Sequence, residues 1–82
     1  MQVYLTSYSE KELRKLSSSL RNKIVREITT LVDDPYPPHC KKLSGKPGWR
    51  IRVGDYRVIY MVDHKKKEVM ILSVAHRKEV YR

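Results

Sequence analysis

The stretch Trp49-Arg50-Ile51-Arg52-Val53-Gly54-Asp55-Tyr56-Arg57-Val58-Ile59-Tyr60 permits few structures other than a β-hairpin. Apolar residues and arginines alternate with period 2. Trp49, Ile51 and Val53 therefore share one face of a strand, and Arg50 and Arg52 share the other. Gly54-Asp55 is a two-residue turn, because glycine supplies the positive φ that primed turns require. With Val53 and Tyr56 flanking the turn, Arg52 lies across from Arg57, and Arg50 follows two residues along on the same face. Like charges opposed across a ladder destabilise it. A face built this way needs an anionic partner, and nucleic-acid phosphate is the first candidate.

The rest of the composition agrees. The formal charge is +9 and unevenly spread. Six Lys/Arg stand against five Asp/Glu up to Asp34, whereas twelve stand against four from Pro35 onward. The basic character therefore travels with the hairpin, and such a concentration attracts nucleic acid, acidic protein or anionic membrane. Eighty-two residues, 40% of them hydrophobic, suffice for one domain spanning residues 1–82 and for a single core. The lone Cys40 excludes an internal disulfide and suits a reducing compartment. With no signal peptide and no membrane-spanning run, a soluble cytoplasmic chain is expected.

Along the chain, Val3-Tyr4-Leu5 is a short β-prone run. Ser9-Glu10-Lys11-Glu12 has the spacing of a capping box. Leu13, Leu16, Leu20, Ile24, Ile28 and Leu31 then recur every three or four residues as one helical stripe. Ser17-Ser18-Ser19 reads as a tight break between two antiparallel helices, with one long bent helix as the alternative. Asp33-Asp34-Pro35 ends the helical region, and Pro37-Pro38 keeps the following stretch irregular. Lys41 to Gly48 is a basic loop, Asp63 to Lys67 a second turn, and Val69 to Val74 an apolar strand covered on much of both faces. The predicted fold is α+β in the order β-α-α-β-β-β, with the helical pair packed on one face of a small antiparallel sheet. Arg50, Arg52 and Arg57 occupy the other face, expected to curve into a groove.

Arginine binds phosphate through paired, charge-assisted hydrogen bonds. An ordinary solvated sheet face would instead mix its signs and favour lysine and threonine. His76, Arg77 and Tyr81 follow the last strand, where the chain can fold back over the groove. There His76 would trade protons near neutral pH, Arg77 would hold a phosphate, and Tyr81 would stack on a base. The bland alternative is a charged C-terminus. Lys41, Lys42, Lys46 and Lys78 are candidate RNA-backbone contacts, while Lys65-Lys66-Lys67 reads as a solvated turn. His39, Cys40, His64 and His76 lack the spacing of zinc ligands, so no metal and no cofactor is expected. There is no phosphate-binding loop, dinucleotide fingerprint or serine-nucleophile elbow.

Lys42-Leu43-x-Gly45, Trp49-Arg50-Ile51-Arg52-Val53, Tyr56-Arg57-Val58-Ile59-Tyr60 and Ser73-Val74-Ala75-His76-Arg77…Val80-Tyr81, in that order, resemble the RelE toxins of the RelE/ParE toxin–antitoxin superfamily. The resemblance covers essentially the whole chain. It implies a metal-independent, ribosome-dependent endoribonuclease that cuts mRNA in the decoding site of the 30S subunit. It also implies a cognate RelB-like antitoxin whose C-terminal segment wraps the toxin. By the same resemblance Arg50, Arg52, Arg57, Arg77 and Tyr81 match the family's catalytic and RNA-binding residues. Arg50 and Arg52 stand where the best-known member has lysines. Arginine loses a proton far less readily, which shifts acid–base work toward His76 or leaves catalysis mainly electrostatic. The chain stops one residue beyond Tyr81, which is therefore expected to be ordered only by substrate or ribosome. Two other readings remain: a ParE-like gyrase inhibitor of the same fold, and an RNA-binding module without chemistry.

Overall fold

The computed structural model describes residues 1–80 and runs β1 (Gln2–Leu5), α1 (Ser7–Arg14), α2 (Ser18–Thr30), β2 (Lys41–Lys42), β3 (Trp49–Val53), β4 (Tyr56–Asp63), β5 (Glu68–His76) and α3 (Arg77–Val80). The fold class is the expected one: two consecutive helices pack on one face of a largely antiparallel sheet. The helical region does break in the serine run, where the Ser17 hydroxyl accepts from Leu20 N–H and caps α2. Leu13, Ile24, Ile28 and Leu31 of the stripe are buried, while Leu16 and Leu20 pack at the edge of the core.

The start of α1 differs from expectation. Thr6, in an extended conformation, is the cap, and its Oγ1 accepts from Ser9 N–H at 3.1 Å. Ser9 is fully buried inside the helix and donates its hydroxyl to Ile71 O at 3.0 Å. Thr6 Oγ1 also lies 3.2 Å from Leu72 O. Glu12 does not turn back to a cap. Its Oε1 accepts from Val74 N–H at 2.7 Å and from the Ser73 hydroxyl at 3.0 Å. A capping-box spacing was thus used to stitch α1 to the edge of β5, a tertiary demand that outweighs the local one.

The sheet order is β1-β5-β4-β3-β2. β1 runs parallel to β5, with Val3 opposite Val69, and the other neighbours are antiparallel. The parallel strand, the two-residue β2 within the expected basic loop, and the short α3 were not anticipated. β5 carries a bulge: Ile71 faces Tyr60 and Ser73 faces Ile59, which leaves Leu72 as the extra residue. Ile71 and Val74 consequently both point to the helices although three residues apart.

Tyr60 is the largest fully buried side chain, and its hydroxyl donates to Pro35 O at 2.6 Å. This bond ties the proline-rich segment to the centre of the sheet. Next to it, the Tyr36 ring meets Trp49 edge-on at 4.7 Å and its hydroxyl pairs with His64 Nε2 at 2.6 Å. Gly48 (φ +117°) runs so close to β4 that a Cβ would stand 3.1 Å from Tyr60 O. Among the described residues, no helix is long and apolar enough to cross a membrane.

Two stability predictions follow from these anchors. Thr6→Ala should lower unfolding free energy by about 1 kcal/mol in urea titrations, the usual worth of an N-cap. Burial, then the neighbouring Cys40 thiol, pushes the Tyr60 phenol well above its ordinary range. The folded protein therefore keeps a proton that the unfolded chain releases above about pH 10. Stability from this group is complete below that pH and falls as pH rises further. Tyr60→Phe should cost about 1–2 kcal/mol near neutrality and flatten the alkaline loss, as read from melts at pH 8 and pH 10.5.

Candidate nucleic-acid interface

The turn at Gly54-Asp55 sets the site. Gly54 has φ +60° and Asp55 does not share a positive φ, the pattern of a type II′ turn with glycine first. Val53 and Tyr56 flank it, so the register is Arg52↔Arg57, Ile51↔Val58, Arg50↔Ile59 and Trp49↔Tyr60. Ile51, Val53, Val58 and Tyr60 are buried under the helices. Arg50, Arg52, Arg57 and Ile59 therefore stand on the opposite, helix-free face. Trp49, Tyr56 and Tyr60 belong to the packed side.

Pairing extends the cationic row. Lys41 of β2 is opposite Arg50, so it joins the arginine face, whereas Lys42 pairs with Trp49 and projects the other way. Two adjacent lysines thus separate, and only one stands beside the arginines. Lys46 is exposed in the loop before β3. Across the ladders, Lys41 meets Arg50 and Arg52 meets Arg57. Arg52 is exposed and donates through Nε to Gly54 O at 3.1 Å, which aligns its guanidinium along the turn. Arg57 sits on the central strand with Ala75 as its β5 neighbour. Arg57 is only 7% exposed.

Arg77 opens α3 and is exposed, and its backbone N–H donates to Asp55 O at 2.8 Å. That bond fixes the start of α3 beside the hairpin turn, at the arginine end of the molecule. Lys78 follows, also exposed. His76 is placed differently from the sequence expectation. Its register partner is Tyr56, whose ring it meets edge-on at 5.4 Å, on the helix-covered face of the sheet. Its Nδ1 lies 3.3 Å from the Lys78 N–H that it accepts. It lines a cleft of about 370 Å³ together with Tyr8 and Lys11 of α1 and Lys15 just beyond it, and does not join Arg50, Arg52 and Arg57. Tyr81 lies outside the described residues. Among the described residues, no three His, Cys, Asp or Glu gather as metal ligands do.

Sequence reasoning missed two neighbours of this site, Ala75 beside Arg57 and Glu12 on the edge of β5. Neither leaves a local signal, since both depend on pairings made far along the chain.

A family described as the ParE toxin of the type II toxin–antitoxin system parDE matches residues 3–81. The mRNA interferase toxin RelE of Escherichia coli K12 is 33% identical over 87 residues, covering 96% of this chain and 90% of that protein. This chain belongs to the RelE/ParE family of toxins. Solved structures agree. The RelE of the Pyrococcus horikoshii RelE–RelB complex superposes with TM-score 0.82 at 30% identity, covering 93% of both chains. The Mycobacterium tuberculosis RelBE2 complex gives TM-score 0.82 at 28% identity, covering 93% of this chain and 96% of that one. A RelE/ParE toxin is thus what carries the cationic face described above.

Proposed function

We propose that this protein is the toxin of a toxin–antitoxin pair and cleaves mRNA on the ribosome, using the helix-free face of its sheet. The observation that carries the reading is the juxtaposition of Lys41 with Arg50 and of Arg52 with Arg57. Folding does not favour such a pairing. A bound polyanion compensates it.

RNA brings its own nucleophile, the 2′-OH next to each phosphodiester. In the proposed reaction the 2′-oxygen attacks phosphorus in line, the bond from phosphorus to the 5′-oxygen breaks, and the 2′-proton leaves to solvent while the 5′-oxygen gains one. The products are a 2′,3′-cyclic phosphate and a 5′-OH. Exposed Arg52 and half-buried Arg50 orient the backbone and help with the charge, while Arg57 and Arg77 hold the phosphate and meet the charge that develops on the phosphorane. Lys41, Lys46 and Lys78 add nonspecific phosphate contacts. Tyr81 is assigned the stacking role. With arginines at these positions and the His76 ring on the far side of the sheet, catalysis is electrostatic and positional. The proposed partners are the ribosome, mRNA and a RelB-like antitoxin, in keeping with the relatives that crystallised with RelB.

The family match under the name of ParE favours a second reading, contact inhibition of DNA gyrase. Controlled expression with mapping of mRNA 5′ ends separates the two. Cuts inside translated codons that disappear with Arg57→Ala support the nuclease, and growth arrest with DNA damage but no cuts supports the gyrase reading. Arg52→Ala, which touches only an exposed side chain, should lower the cleavage rate by about 10²-fold, as loss of one transition-state donor does. For RNA binding, Lys41→Ala should reduce the log–log salt slope by about 0.7. Lys42→Ala should leave that slope nearly unchanged.

A further inference from the structure

β5 outlasts its outer neighbour. β1 pairs with it only from Gln2↔Glu68 to Leu5↔Ile71, so Ser73 to His76 have β4 on one side and no strand of the described fold on the other. Side chains entering and lining α1 take over that edge at intervals of three residues. Thr6 Oγ1 reaches Leu72 O at 3.2 Å, and the Ser9 hydroxyl donates to Ile71 O at 3.0 Å. Glu12 Oε1 then accepts from Val74 N–H at 2.7 Å and from the Ser73 hydroxyl at 3.0 Å. Of the three, Glu12 alone is charged, and its bond to the backbone amide is charge-assisted. The segment held this way decides where Arg77 stands. With Leu72 as the extra residue, Arg57 faces Ala75 and Tyr56 faces His76, so Arg77 N–H meets Asp55 O at 2.8 Å. Loss of the bulge would carry Arg77 past the turn by about 3.3 Å. Burial of Val74 selects the bulged parity, and Glu12 fixes the outer edge of the strand within it.

We propose that Glu12 is a positioning residue for the phosphate site, holding the end of β5, and through it Arg77, beside the hairpin turn. This role rests on the nuclease reading, in which Arg77 meets the phosphate. Glu12 itself touches no RNA there, since it lines the cleft on the helix-covered side of the sheet. Arg77 is bracketed by two attachments: Asp55 O grips its own N–H, and Glu12 grips the strand three and four residues upstream. α3 is only four residues long, and Arg77 and Lys78 on it are exposed, so the burial of these two side chains does not hold them in place. A group that meets developing charge must be held within about 0.5 Å of its working place. Misplacement by about 1 Å costs on the order of 10²-fold in rate. The loss of one carboxylate behind the sheet is therefore felt at the phosphate. Glu10, two residues earlier, pairs instead with Arg14 along the exposed side of α1 and has no such lever.

The test combines mRNA cutting on purified translating ribosomes with hydrogen exchange at the Arg77 amide, both on the full chain. Glu12→Ala should cut about tenfold more slowly, with a thermal melt verifying the fold. Glu12→Gln keeps an oxygen that accepts from Val74 N–H and should return to within about threefold of wild type. Glu10→Ala should match wild type. With Arg77→Ala already present, Glu12→Ala should cost less than about twofold more, because the group it positions is gone. Exchange at Arg77 N–H should quicken about tenfold in Glu12→Ala and slow again in Glu12→Gln. Losses that multiply independently in the double variant, or Arg77 exchange unchanged by Glu12→Ala, overturn the positioning role. Should Glu12→Ala not fold, Glu12→Asp withdraws the carboxylate by one methylene and should show the same coupling to Arg77, on the same terms. A wild-type chain that cuts no mRNA removes the nuclease reading, and the exchange measurement alone then decides whether Glu12 places Arg77.

Discussion

The pairing of Arg52 with Arg57 is the constraint on which the rest depends. A two-residue turn leaves no freedom in the hairpin, so once Gly54-Asp55 turns, the arginines must face one another. The same parity sends Ile51, Val53, Val58 and Tyr60 under the helices and gives the core its central layer. A one-residue slip would bury the arginines and expose the isoleucine and valines. Burial of the apolar face thus enforces the crowding of positive charge on the other. The core stabilises an arrangement that the charges alone would oppose.

Secondary supports act on the ends of this hairpin. The Tyr60 hydroxyl anchors the proline segment beneath one end, and Arg77 N–H secures α3 to the turn at the other. Glu12 satisfies the edge of β5 beyond the point where β1 stops pairing, which holds the strand that leads into Arg77. Each consists of one or two hydrogen bonds of modest net worth. Their effect on function comes through position rather than through stability.

The hairpin was legible in the sequence because strict alternation and turn length together leave one register. The helical pair was legible because its stripe persists across a serine break. What could not be read is equally specific. The run Val69 to Val74 is apolar on both faces, so alternation carries no information there, and the bulge at Leu72 resets the parity before His76. The face that His76 occupies follows from that bulge. Lys41 and Lys42 are chemically alike, and only their pairing with β3 tells them apart. The parallel partnership of β1 with β5, and the use of Thr6 rather than Ser9 as a cap, both rest on contacts more than 60 residues apart in sequence.

In the proposed function, chemistry belongs to the arginine face and not to the histidine behind it. Purified translating ribosomes with the His76→Asn protein test this most directly. Codon-specific cutting is expected within about threefold of the wild-type rate, with 2′,3′-cyclic phosphate ends and a pH profile that lacks a neutral inflection. A loss of about 10²-fold or more in a folded His76→Asn protein, together with loss of a neutral inflection present in the wild type, would contradict it and place the proton transfer on the other side of the sheet.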